Sequence, residues 1–148
     1  MERISKENYY LDIAETVLER STCLRRCYGA IIVKNDEIVS TGYNGAPRGR
    51  KNCMDLGYCA REAMNVPSGQ RYELCRSVHA EANAITKVAK SGNSSDGATL
   101  YVTASPCIEC SKLIIQAGIK RVVYKDEYRL TDGVDLLRKA GIEVEKVD

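Results

Sequence analysis

Two short strings in this sequence combine residue types that bind a metal ion and move protons: His79-Ala80-Glu81 and Pro106-Cys107-Ile108-Glu109-Cys110. Cysteines at i and i+3 of a helix share one face, and as thiolates in a first turn they are favoured by the positive end of the helix dipole. His79 adds a neutral nitrogen, so the set supplies three protein ligands and leaves a fourth position open, the arrangement of a catalytic zinc site. Two thiolates balance the charge of Zn²⁺, which remains a Lewis acid able to bring the pKa of a bound water to about 7. Glu81 lies two residues beyond His79. Successive helical residues are rotated by about 100°, so the two face one ion only at a helix end. There a carboxylate suits a proton shuttle that does not itself ligate.

His79 is the single histidine of the chain, so any chemistry that needs imidazole is confined to it. The seven cysteines are an odd number in a chain whose start, MERISKENYYLD, shows no apolar secretory core, which makes the cytoplasm the expected compartment. Disulfides are uncommon there, and metal ligation, catalysis or burial are the expected uses of the thiols. A length of 148 residues fits one domain, 1–148, and 44% hydrophobic with 28% charged residues is ordinary globular composition. The longest apolar runs fall far short of the roughly 18 residues a membrane span needs. A net charge of +2 gives no argument for nucleic acid, and the densest basic cluster is Arg48, Arg50 and Lys51.

The elements that must position these groups follow from periodicity. Leu11, Ala14, Val17 and Leu18 recur at helical spacing, and Tyr28–Lys34 and Ile38–Tyr43 read as a hairpin about Asn35-Asp36-Glu37. Residues 44–77 show little periodicity and hold Gly45, Pro47, Gly49, Gly57, Pro67 and Gly69, an insert long enough to need an ordering device. A helix runs from Ala80 toward Gly92, and a strand covers Thr99–Thr103. Ser105-Pro106 reads as an N-cap with proline at the first helical position, opening a helix that ends at Gly118. Arg121–Tyr124, Val134–Ala140 and Ile142–Val147 add strand, helix and strand. Alternating strands and helices with short links predict parallel neighbours and right-handed crossovers, with the hairpin at the other edge of the sheet. The expected fold is α/β, with one mixed five-stranded sheet.

The paired H-x-E and P-C-x-x-C strings resemble those of the cytidine and deoxycytidylate zinc deaminase superfamily. Thr41-Gly42-Tyr43-Asn44-Gly45-Ala46-Pro47 and Gln116-Ala117-Gly118-Ile119-Lys120 are similar to the deoxycytidylate (dCMP) deaminase branch, in its late-competence and phage-like form. The resemblance covers most of the chain and implies a three-layer α/β/α fold. It implies hydrolytic conversion of dCMP to dUMP and ammonia, feeding thymidylate synthesis. Glu81 would carry the protons, and His79, Cys107 and Cys110 would hold the catalytic Zn²⁺. Asn44 would face the nucleotide and Tyr128 would lie over the pyrimidine. The resemblance further implies a homo-oligomer, a hexamer, with dCTP and dTTP acting with Mg²⁺ as allosteric ligands, and neither membrane nor nucleic acid as partner. The basic residues Arg48, Arg50 and Lys51 follow the Asn44 loop as candidates for a phosphate grip.

Similar cysteine contexts in that branch also select Cys23, Cys53, Cys59 and Cys75 for a second, structural Zn²⁺ that staples the 44–77 insert. Cys27 is then a spare thiol, or takes the place of Cys23. Alternatives on the same chemistry are a tRNA adenosine deaminase and a riboflavin-pathway deaminase. The first would be expected to end in an aromatic, basic helix, whereas this chain ends in a strand at Glu143–Asp148. A non-catalytic, competence-related zinc protein is the reading from another class, and the pairing of Glu81 with an open three-ligand set speaks against it.

Overall fold

A computed structural model describes residues 2–128 and 130–148. Helix α1 (Lys6–Leu18) starts where the Ser5 hydroxyl accepts the Asn8 amide at 3.2 Å, leaving one fewer orphan donor in the first turn. Strands β1 (Gly29–Lys34) and β2 (Glu37–Tyr43) form the expected hairpin. Asn35 and Asp36 both take positive φ, 52° and 62°, the backbone that a two-residue turn needs to match strand twist. Beyond the insert come α4 (Ala80–Ser91), β3 (Thr99–Ala104), α5 (Ile108–Gln116), β4 (Arg121–Asp126), α6 (Asp132–Lys139) and β5 (Glu143–Lys146). The five strands lie in the order β2-β1-β3-β4-β5, with β1 antiparallel to both neighbours and β3, β4 and β5 parallel. The mixed sheet and the edge hairpin are as the sequence predicts.

Both faces of this sheet are covered, which explains why its inner strands read as unbroken apolar runs. Ile31, Val33, Tyr101 and Val123 point to one side and pack with Tyr10, Leu11 and Ala14 of α1. Ala30, Ile32, Leu100, Val102, Val122 and Tyr124 point to the other, against Ala84 and Val88 of α4, Ile114 of α5 and Leu137 of α6. The result is three layers, α/β/α. Burying one such Leu, Ile or Val contributes roughly 1.5–3 kcal/mol.

Two differences from the sequence expectation bear on the site. Helix α5 begins at Ile108 with Cys107 as its N-cap, two residues later than the Ser105-Pro106 start; Ser105 instead ties its backbone N–H to the Asp126 carbonyl at 2.9 Å and serves β4. The insert also holds short helical pieces, α2 (Cys53–Leu56), α3 (Ala60–Ala63) and a 3₁₀ turn at Tyr72–Leu74, each too brief to show a period. The base of the insert is closed by a small antiparallel bridge, with Gly45 N–H on the Val78 carbonyl at 3.2 Å and Val78 N–H on the Gly45 carbonyl at 2.7 Å.

Candidate active site

The catalytic candidates stand at two helix starts beside the end of β3. His79 is the N-cap of α4, with extended backbone at φ −66° and ψ 154°, and Cys107 is the N-cap of α5. Because His79 lies outside the regular helix, it and Glu81 can face one point, as the spacing argument required. Close packing sets both starts. A Cβ on Gly42 would overlap the Ala80 carbonyl oxygen and stand 2.6 Å from the Ala84 nitrogen, so β2 presses directly on the first turn of α4. A Cβ on Gly133 would overlap the Pro106 carbonyl oxygen and come 2.8 Å from the Cys107 carbonyl carbon, so α6 presses on the start of α5. Asn83 fastens α4 further, donating to the carbonyls of Tyr43 at 2.7 Å and Val78 at 3.3 Å.

His79 Nδ1 lies 3.5 Å from Cys107 Sγ and 3.4 Å from Cys110 Sγ. Tetrahedral bonds of about 2.3 Å to sulfur and about 2.05 Å to nitrogen would separate the donor atoms by about 3.5 Å, so the set fits Zn²⁺. Among the described residues, this is the one group of three such side chains whose ligand atoms all lie within 4.8 Å of one another. Their electrostatics are those of a shared proton. Hydrogen bonding from Cys110, then from His79, brings the Cys107 thiol down to about 4 against the effect of burial. Cys110, hydrogen-bonded to Cys107 and buried, moves up. Burial opposes charging of His79, yet hydrogen bonds to Cys107 and Cys75 raise its pKa to about 10. The proximity that makes these groups share a proton equally suits them to share a dication.

Glu81 is buried, 6% exposed, and burial pushes its carboxyl up to about 7, with Cys107 adding to the rise and His79 opposing it. A carboxyl balanced near neutrality both takes and returns a proton, which is what a general acid and base requires. The cleft beside it is lined by Asn44, His79, Glu81, Cys107 and Tyr128, and by Cys23 and Cys75, seven residues singled out from the sequence. Asn44 is buried and its amide is engaged: Oδ1 accepts from Ser21 Oγ at 2.5 Å and Tyr28 N–H at 2.9 Å, and Nδ2 donates to the Arg26 carbonyl at 2.8 Å. Tyr128 is held by its backbone N–H, which donates to Ser105 Oγ at 2.6 Å.

Arg48, Arg50 and Lys51 are exposed and stand outside the cleft. The arginines that do line it are Arg25, Arg26 and Arg61, joined by Tyr28 and Tyr72, none of which the sequence reading singled out. A usable signal existed for Arg25-Arg26, two charges at the entry to a buried strand; Arg61 and Tyr72 sit in the aperiodic insert and offered none. Of the four cysteines expected to staple the insert, Cys23 and Cys75 border the cleft while Cys53 and Cys59 are buried. Burial raises the Cys53 thiol, and Cys23, Cys75 and Cys59 are near enough to add to it, yet no three of them reach the mutual spacing of the His79 group. Cys27 is exposed ahead of β1.

Residues 4–126 match the family model described as the cytidine and deoxycytidylate deaminase zinc-binding region. The chain belongs to this family. It is 39% identical over 155 residues to ComE operon protein 2 of Bacillus subtilis (strain 168), covering 100% of this chain and 74% of that protein. It is 39% identical over 172 residues to the deoxycytidylate deaminase of Enterobacteria phage T4, covering 94% of this chain and 88% of the phage protein. The crystal structure of dCMP deaminase from the cyanophage S-TIM5 in complex with dCMP and dUMP superposes with a TM-score of 0.79 at 40% identity, covering 98% of this chain and 100% of that one. The family match runs from α1 through β4 and so contains His79, Glu81, Cys107 and Cys110.

Proposed function

We propose that this deaminase converts dCMP and water to dUMP and ammonia. The observation that carries the reading is the buried Glu81 carboxyl beside the His79, Cys107 and Cys110 trio, in a cleft that arginines also line. The similarity to a dCMP deaminase solved with dCMP and dUMP supports the choice of base. His79, Cys107 and Cys110 would hold a zinc ion, which would supply the Lewis acidity that brings the pKa of a bound water to about 7. Glu81 takes a proton from the attacking water and passes it to the ring nitrogen beside the reacting carbon, then takes the second proton of that water and delivers it to the departing amine. Its burial keeps bulk water from competing for those protons.

Asn44 has one amide N–H left after its three bonds, and that donor faces the nucleotide; its other bonds hold the loops of Ser21, Arg26 and Tyr28 around it. Tyr128 lies over the pyrimidine, and the guanidinium groups of Arg26 and Arg61 give the open end of the cleft the charge that a monophosphate seeks. Cys23, Cys53, Cys59 and Cys75 would hold the second, structural zinc ion, and the three others are near enough to raise the Cys53 thiol. The active form is a homo-oligomer, regulated by dCTP and dTTP with Mg²⁺, and acts in the cytoplasm with no nucleic-acid partner; among the described residues no helix is long and apolar enough to cross a membrane.

Ammonia release from dCMP, CMP, deoxycytidine and dCTP tests the reading directly. Preference for dCMP is expected, and loss of the phosphate should cost more than addition of the ribose hydroxyl if the arginines set affinity. Equal turnover of deoxycytidine and dCMP would remove the phosphate assignment, and no turnover of any of the four would remove the reaction.

A further inference from the structure

The 3₁₀ turn of the insert places Tyr72 directly against the catalytic group. Its ring meets the His79 imidazole edge-on, with centroids 4.8 Å apart and planes at 86°. Its hydroxyl is hydrogen-bonded to the hydroxyl of Tyr128, which approaches from the loop after β4. Each tyrosine is backed by a cation on its ring. The Arg61 guanidinium sits 4.6 Å from the Tyr72 centroid, and that of Arg26 lies 6.0 Å from the Tyr128 centroid. Arg61 is itself anchored, donating from Nη1 to the Gln70 carbonyl at 3.1 Å.

Two tyrosines separated by 56 residues therefore meet in the lining of the cleft. One comes from the insert and the other from the α/β layers. Tyr128 is tied to the α/β layers by its backbone bond to Ser105, which sets the position of its Cα, and its ring faces Arg26. The contact with Tyr72 holds the far end of that ring by its hydroxyl. Two hydroxyls carry two protons, and their mutual bond uses one, so the second proton is available to an acceptor on a bound base.

We propose that Tyr72 is a positioning residue for the substrate base and acts through Tyr128, so that the insert contributes to substrate binding as well as to architecture. This rests on the reading of Tyr128 as the residue over the pyrimidine. Tyr72→Phe is the informative variant, because it keeps the ring against His79 and under Arg61 while deleting only the hydroxyl.

The test is a double-mutant cycle in the zinc-loaded full-length chain: wild type, Tyr72→Phe, Tyr128→Phe and the double variant, each with zinc content, melting temperature, kcat and KM for dCMP. Loss of one neutral hydrogen bond predicts a KM raised about threefold to tenfold in Tyr72→Phe, with kcat changed less than about twofold. The double variant should be no worse than Tyr128→Phe alone, since both remove the same contact. Effects that multiply independently, or a Tyr72→Phe enzyme with wild-type KM, would overturn the proposal. So would a loss of zinc or of thermal stability that accounts for the kinetic change, because Tyr72 would then be a prop of the insert. Failure of the dCMP reading shows separately, in the wild type; if that chain deaminates another of the four compounds, the cycle is read with that compound. No turnover of any of them overturns both.

Discussion

Glu81 is a carboxyl that is both buried and next to His79, Cys107 and Cys110. Glu81→Gln keeps its shape and removes its basicity. The expected outcome is a fall in kcat of about a hundredfold to ten-thousandfold, the usual contribution of a positioned acid and base. Zinc content and the unfolding midpoint should stay at wild-type values; an active Glu81→Gln enzyme would place the proton shuttle elsewhere. His79, Cys107, Cys110 and Glu81 were all legible in the sequence because they sit at fixed spacings on helix starts, where residue type and position are tied to one chemistry. Arg61 and Tyr72 were not, because they reach the cleft through the path of an aperiodic insert. Asn44 was read as a ligand contact, and the structure adds a duty that spacing could not show, since its amide also binds Ser21, Tyr28 and Arg26.

At the scale of elements, two contacts join the hairpin to the helices that cover it. The first is the approach of β2 to α4 at Gly42, where any side chain meets the backbone of Ala80 and Ala84. Gly42→Ala should cost about 1–3 kcal/mol of stability by overpacking and lower kcat with it, because the displaced turn carries Glu81. Denaturant unfolding and steady-state rates on one preparation read both effects. The second contact ties α1 to the hairpin. Tyr10 donates its hydroxyl to Asp36 at 2.6 Å, and this bond, with Lys6 nearby, holds the Asp36 carboxyl below its ordinary range. The same bond pushes the Tyr10 hydroxyl up to about 12. A depressed carboxyl stabilises the fold above its unfolded pKa and loses that contribution as pH falls through the folded value. A raised tyrosine stabilises below the ordinary tyrosine range and loses its contribution as pH rises through about 12. In an NMR titration the Asp36 midpoint should lie below the ordinary aspartate value, and Tyr10→Phe should move it upward; an unmoved midpoint would assign the shift to Lys6 alone. The strands and long helices behind these contacts were readable from periodicity. The start of α5 was misplaced because Ser105-Pro106 satisfies the rules for a cap, while in the fold Ser105 is taken up by Asp126 and Tyr128.

For the whole molecule, metal content tests the proposed roles of the cysteines. Removing zinc with a chelator should abolish ammonia release and lower the melting temperature, since ligand binding to the folded state is linked to its stability. If Cys23, Cys53, Cys59 and Cys75 hold a second ion, the wild type contains two zincs per chain. Cys59→Ser should then retain one, keep the His79 group loaded, and be cut by protease within residues 44–77. One zinc per wild-type chain would withdraw that site.

The Gly45 and Val78 bridge has a consequence for how this chain can change over time. Since it joins the two ends of the excursion, the strand leading to Asn44 and the helix start at His79 are held at a set separation whatever lies between them. Doubling the length of such a closed loop costs only about 0.6 kcal/mol of closure entropy. Residues can therefore be gained or lost beyond the bridge with little thermodynamic resistance, and the reaction centre keeps its geometry while the surface that receives the substrate is free to diversify.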